Sequence, residues 1–158
     1  GLNTELMKMA RQVNDSMPKF MIELLERELG KHDKKLEDSK IAILGLCYKK
    51  NVPDTRLSPS IEIINLLKNR NADYKICDPI LEDVESSYSL ISLSDIFRDN
   101  DAVLLVTEHD VFKKIDFSII KNQMSTPVVI DGRNFFSEEQ LVSLGFSYAA
   151  IGKPLDWK

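Results

Sequence analysis

From Lys40 onward the sequence alternates short, almost uninterrupted apolar runs with amphipathic stretches, and few folds accept that pattern. A strand that is apolar on both sides has no solvent face, so it belongs in a parallel sheet covered above and below. The runs place strands at Ile41–Leu46, Tyr74–Cys77, Ala102–Thr107, Val128–Ile130 and Tyr148–Ile151. Between them the periodicity predicts helices over Ser60–Asn69, Leu93–Asp99, Val111–Asn122 and Glu138–Leu144. Ser58 with Pro59 marks the start of the first helix, and Ser137 with Gln140 three residues later forms a capping box at the last. Strands joined by helical crossovers give an α/β chain with a Rossmann-like doubly wound parallel sheet. Its ligand crevice is expected beyond the carboxyl ends of the strands.

A helical segment precedes this sheet. Leu2, Leu6, Met9 and Val13 recur at helical spacing, and Asn14, Asp15 and Ser16 then interrupt the pattern ahead of Pro18. One helix is predicted to end or bend there, with Pro18 in the first turn of a second, where its missing N–H has no intrahelical partner. Met17, Phe20, Met21, Leu24, Leu25 and Leu29 form the second stripe, and Gly30 is the expected stop. The stripes have more apolar surface than a simple leader needs. They require cover from the following domain, from an amino-terminal portion, or from a second subunit.

With 158 residues and 43% hydrophobic content, the chain can bury one ordinary core with a short appendage. No stretch approaches the roughly 20 apolar residues of a bilayer span, and no signal-peptide succession opens the sequence, so a soluble protein is expected. The net charge of -4 comes from interspersed acids and bases, with no field to draw the chain onto nucleic acid or a membrane. The basic cluster Lys31–Lys35, interrupted by His32 and Asp33, reads as a solvated helix exit. Cys47 and Cys77 sit in apolar runs outside any metal-ligand spacing, which fits a reducing, cytoplasmic setting and predicts no metal. The leading Gly1 in place of methionine suggests a cut or cloned piece.

The most informative stretch is Gly45-Leu46-Cys47-Tyr48-Lys49-Lys50-Asn51-Val52-Pro53-Asp54-Thr55-Arg56-Leu57-Ser58-Pro59-Ser60. It leaves the first strand at its carboxyl end, carries three cations and enters a helix capped by Ser58. It lacks the three glycines with which GxGxxG brings backbone amides to a phosphate, so side-chain cations must take their place. Lysine and arginine can hold a diphosphate through charge-assisted bonds. A solvated surface loop is the competing reading.

Val128-Val129-Ile130-Asp131-Gly132-Arg133-Asn134 is a second strand-to-loop passage. Gly132 can supply a positive-φ turn that aims Arg133 over the crevice, or Asp131 and Arg133 can simply pair. Cys77-Asp78-Pro79 ends another strand, where an acid could meet a ribose, although loop structure and capping are the stronger explanation of Asp78. His109, in Thr107-Glu108-His109-Asp110, is a general acid or base by position, yet a lone imidazole more often serves a loop or cap. Cys47 as a nucleophile competes with simple burial, and Trp157 packs, frays or stacks on a base.

The stretch from Gly45 to Ser60 resembles the GLAYK...DDTRxSPS signature of the UDP-glucose/GDP-mannose dehydrogenase family, in its carboxy-terminal domain. Arg11-Gln12-Val13-Asn14-Asp15-Ser16-Met17-Pro18 is similar to the family segment that follows its catalytic region. Cys77-Asp78-Pro79 resembles its YDP and Ile130-Asp131-Gly132-Arg133-Asn134 its DxRN, and all these blocks stand in family order across nearly the whole chain. Cys47, Pro53 and Leu57 depart from the usual alanine or serine, aspartate and glutamate, and none of these changes removes a cation.

The resemblance implies that residues 1–36 are the end of a central helical dimerisation region and residues 37–158 a Rossmann-like UDP-sugar-binding domain. It implies an NAD-dependent enzyme that oxidises the C6 hydroxyl of a UDP-sugar to a carboxylate, of the UDP-glucose or UDP-N-acetylmannosamine type, for surface polysaccharide precursors. By the same resemblance Tyr48 and Lys49 contact the UDP-sugar, Arg133 binds its UDP portion, and Arg56 reaches the NAD cofactor. The family's catalytic cysteine block has no counterpart here. The 158 residues alone are therefore expected to be inactive, with NAD held mainly elsewhere and a homodimer as the intact assembly. A free-standing nucleotide-binding or regulatory module on the same fold is the alternative. A receiver-type signalling domain fits poorly, because Cys47 and Tyr48 stand where it needs acids.

Overall fold

The computed structural model describes residues 4–81 and 87–153; Leu2 and Trp157 lie outside the described residues. The chain runs through α1 (Glu5–Gly30), β1 (Lys40–Leu44), α2 (Pro59–Asn69), β2 (Asp73–Cys77), β3 (Ala102–Leu105), α3 (Phe117–Ile120), β4 (Val128–Asp131), α4 (Glu138–Ser143) and β5 (Ser147–Ala150). The five strands form one parallel sheet in the order β2-β1-β3-β4-β5. Their carboxyl ends are level: Leu44 pairs with Cys77 on one side and Leu105 on the other, Leu105 with Asp131, and Asp131 with Ala150.

Alternate residues feed two separate cores. Ile41 and Ile43 of β1, Leu104 of β3 and Ile130 of β4 pack with Leu25 and Leu29 of α1 and Ile63 and Leu67 of α2. Ala42, Leu44, Val103, Leu105 and Val129 face the other way, against Phe97, Phe112, Phe117, Leu141 and Phe146. The continuous apolar runs thus reflect burial on both faces, as expected of a doubly wound sheet.

The caps follow the sequence reading. Ser58 accepts a hydrogen bond from the Ser60 amide, with Pro59 at the first helical position, and Ser137 accepts one from the Gln140 amide. Three other expectations are corrected. The helical segment is not broken before Pro18, because α1 continues from Glu5 to Gly30 with Pro18 inside it. Proline removes only the donor that would reach the Asn14 carbonyl, and Asn14 is exposed, so water can satisfy that group. The sheet-side packing of Met21, Leu24 and Leu25 holds the rest of the helix in place.

The predicted helix over Leu93–Asp99 is instead a run of turns, with Ser92 and Ser94 hydroxyls competing for Asp95. The expected Val111–Asn122 helix is divided into a 3-10 turn at Asp110–Lys114 and the short α3. Asp116 makes the division, because its carboxylate accepts from both the amide and the hydroxyl of Ser118 and starts a new helix.

Candidate functional site at the sheet switch point

The strand order reverses between β1 and β3, since the chain moves outward from β1 to β2 and then returns to the other side of β1. At such a point the loops leaving the two central strands diverge and open a crevice at their carboxyl ends. Three segments meet there: residues 45–58 after β1, residues 106–110 after β3, and residues 132–136 after β4.

The β1 loop is fixed along its length. Gly45 takes a φ of 90°, and a side chain there would put Cβ 2.6 Å from the Thr107 carbonyl oxygen, so only glycine lets the two strand ends approach this closely. The Gly45 amide donates to the Cys77 carbonyl, the Ser60 hydroxyl to the Gly45 carbonyl, and the Thr107 hydroxyl to the Cys47 carbonyl. The Tyr48 amide donates to the Asp54 carbonyl, which folds the loop back on itself. Asn51 holds a left-handed φ of 56°, which asparagine tolerates better than most residues.

Beneath the loop lies a buried polar hub in which Asp78 serves loop structure, as its sequence suggested, and is joined to His109, which its sequence did not suggest. Asp78, at the end of β2, accepts from the Leu46 amide at 2.6 Å and the Cys47 amide at 2.8 Å through Oδ2, and from the Ile80 amide through Oδ1. His109 completes it, with Nε2 3.1 Å from Asp78 Oδ2 and Nδ1 2.9 Å from the Asn51 amide. Because Asn51 N–H donates to Nδ1, that nitrogen offers its lone pair, and Nε2 carries the proton and donates to Asp78. His109 thus has the partner that its isolation in sequence concealed, and its side chain caps no helix. Burial pushes the Asp78 carboxyl upward, but the bonds from His109 and from the Cys47 and Leu46 amides outweigh it and hold the group below its usual range.

Cys47, Asp78 and His109 also bring one potential metal ligand each to within 4.8 Å of one another. The hydrogen bonding opposes a metal there. Nε2 donates to Asp78, and burial followed by the Asp78 charge pushes the Cys47 thiol up to about 12, so a metal would have to displace both protons. The same shift favours the neutral thiol of Cys47 over the thiolate a nucleophile needs.

The β4 loop repeats the device. Asp131 is buried and accepts from the amides of Arg133, Phe135 and Phe136 and from the Tyr148 hydroxyl. The expected positive-φ turn at Gly132 is not found; Asn134 takes the left-handed conformation, at φ 52°. Gly132 is needed for closeness instead, since a Cβ there would lie 2.8 Å from the Leu105 carbonyl oxygen. The side chain of Arg133 does not pair with Asp131. Its Nε donates to the Val106 carbonyl at 2.7 Å and lies 3.1 Å from Glu108 Oε2.

The β1 and β4 loops therefore both anchor on the segment after β3, the first through His109 and Asp110 and the second through Val106 and Glu108. Tyr48 and Lys49 are exposed on the first, with the Lys49 ammonium 5.9 Å from the Tyr48 ring centroid. Arg133 is exposed on the second. Arg56 is more solvent-accessible still, and its guanidinium makes a two-pronged bond to Asp54, whose carboxyl it pulls down to about 2. Lys50 is paired with Asp110.

Comparison with known proteins gives a consistent picture. Residues 42–138 match the profile of the UDP-glucose/GDP-mannose dehydrogenase family, UDP binding domain. A UDP-N-acetyl-D-mannosamine dehydrogenase from Pyrococcus horikoshii is 32% identical over 94% of this chain and 34% of its own length. A UDP-glucose 6-dehydrogenase from Rhizobium meliloti is 36% identical over 75% of the chain and 28% of its own. Among solved structures, an NDP-N-acetyl-D-galactosaminuronic acid dehydrogenase from Methanosarcina mazei superposes with a TM-score of 0.87 at 28% identity, covering 97% of this chain and 32% of that one. The chain spans about a third of the length of the curated relatives it matches.

Proposed function

The chain belongs to the UDP-glucose/GDP-mannose dehydrogenase family, and from that premise we propose that its switch-point crevice holds the UDP portion of a nucleotide sugar for an NAD-dependent 6-dehydrogenase. The observation that carries this reading is the joint anchoring of two cation-bearing loops on the segment after β3. Lys49 supplies a mobile point charge and Arg133 a planar fork whose Nε is already fixed, a pair suited to a diphosphate. Tyr48 offers an exposed ring and hydroxyl beside Lys49 for the nucleotide sugar. Arg56, held to its own loop by Asp54, is the candidate to reach the NAD cofactor once that pair exchanges partners.

We assign the oxidation itself, from C6 hydroxyl to carboxylate, to residues outside this chain. NAD, when bound, accepts the hydrides; this chain binds and orients the nucleotide end of the substrate. Residues 1–36 are proposed as the end of a dimerising helical region and residues 37–158 as the UDP-sugar-binding unit, in a cytoplasmic homodimer. Cys47 and Cys77 are buried and not joined in a disulfide, which is compatible with that compartment.

Titration of the chain with UDP-glucose, followed by amide chemical shifts, tests the reading. Lys49→Ala and Arg133→Ala should each weaken binding by about 1.5–3 kcal/mol, the range for hydrogen bonds to charged groups. Unchanged affinity in both variants would return the two loops to plain surface.

A further inference from the structure

We propose that Asp78 and His109 are a positioning pair: they fix the backbone of the loop from Leu46 to Asn51 from beneath and thereby set where Tyr48 and Lys49 meet the nucleotide sugar. The inference rests on the preceding assignment of that loop to the ligand and adds two residues that touch no ligand themselves. Its basis is the continuous chain of bonds from Asp78 to the loop. Asp78 Oδ2 collects the amides of Leu46 and Cys47, immediately before Tyr48. The same oxygen receives Nε2 of His109, whose Nδ1 takes the amide of Asn51, just beyond Lys49 and Lys50. The residues proposed to meet the ligand are therefore bracketed by amides held on one buried unit.

Burial makes this pair the controlling contact. Asp78 is 1% exposed and His109 fully buried, with the Phe112 ring 5.5 Å from the imidazole. In such surroundings a polar group left without its partner is heavily penalised, so the loop has one favourable backbone arrangement. Outside, Asn51 and Asp110 exchange two further bonds and Lys50 pairs with Asp110, but those groups are exposed and screened by solvent. The tautomer is part of the device, since only an unprotonated Nδ1 can accept from Asn51 while Nε2 donates to Asp78.

Three substitutions separate the roles. His109→Leu removes both bonds. His109→Gln keeps a donor near the Nε2 position but has no acceptor at Nδ1, and His109→Asn places its Oδ1 near Nδ1 and restores the acceptor. The readouts are UDP-glucose affinity and hydrogen exchange at the Asn51 amide, with Ile43 and Leu104 amides as sheet controls. UDP-glucose is the probe because each of its phosphates carries one ester and one anhydride link and only a strongly acidic oxygen besides, so its charge does not change near neutral pH.

In His109→Leu and His109→Gln we expect Asn51 exchange to accelerate about tenfold or more, and UDP-glucose affinity to fall about tenfold, with sheet exchange unchanged. His109→Asn, which restores the acceptor for Asn51 but not the donor to Asp78, should recover part of both readouts and fall between His109→Gln and the unmodified chain. If His109→Leu does not fold, the Gln and Asn variants carry the comparison. Equal behaviour of those two variants, or affinity that ignores both while Lys49→Ala abolishes it, would overturn the positioning role alone. Failure of the unmodified chain to bind UDP-glucose would overturn the underlying assignment of the loop, and the ligand part of this inference with it.

Discussion

The two halves of α1 share one backbone and one apolar periodicity, yet they meet opposite environments. From Pro18 to Leu29 the helix buries Met21, Ile22, Leu24, Leu25 and Leu29 against the sheet. From Glu5 to Ser16 every residue is exposed, and Leu6, Met9 and Val13, a stripe at helical spacing, are 80%, 61% and 59% accessible. An isolated helix of this length is marginal in water. The exposed half is held by continuity with the docked half, helped slightly by the surface pairs Lys8–Glu5 and Arg11–Asp15. Periodicity therefore reports which face of a helix is apolar and leaves open what covers it.

The contrast can be broken most sharply in the docked half. Leu25 is fully buried, so Leu25→Ala should cost about 2–5 kcal/mol in denaturant unfolding, whereas Leu6→Ala should change stability by less than about 0.5 kcal/mol. Similar losses at the two positions would mean that the exposed half is covered after all. A smaller effect comes from the seam where α1 crosses the sheet end. A Cβ on Gly132 would lie 2.8 Å from both the Leu105 carbonyl oxygen and the Met21 Cε, so Gly132→Ala should cost about 1–3 kcal/mol. A neutral result there would show that the docked half can shift without penalty.

The smallest expected change in stability, below about 0.5 kcal/mol, belongs to the paired substitution Leu6→Ser and Met9→Ser. Its value lies in assembly. If the exposed stripe pairs with a second copy, the unmodified chain should associate with rising concentration in sedimentation, and the double variant should not. Identical sedimentation of the two proteins would detach the stripe from self-association.

Much of this architecture was legible because local pattern encodes burial. Apolar runs between Ile41 and Ile151 located all five strands to within a few residues, and the segment beginning at Gly45 could be placed at a strand's carboxyl end. Ser58 and Ser137 announced their caps because capping acts over two or three residues. The cations Lys49, Arg56 and Arg133 could be singled out because they interrupt strand-to-loop passages. The short helices were less legible, since Asp116 and Ser118 divide a stretch whose periodicity alone reads as continuous.

What only the tertiary structure decided is the partnership of residues far apart in the chain. Cys47 and Asp78 are 31 positions apart and Asn51 and His109 are 58 apart, so no local period can join them. Placing β1 between β2 and β3 brings the ends of those two strands to either side of the β1 loop, and Asp78 and His109 close beneath it. Likewise, whether Gly132 serves a turn or a close contact depended on how near Leu105 and Met21 come to it, which the packing of α1 and β3 sets. Sequence pattern fixes which surfaces must be buried. The order in which the strands pair, chosen by packing across the whole domain, determines which polar groups meet once they are.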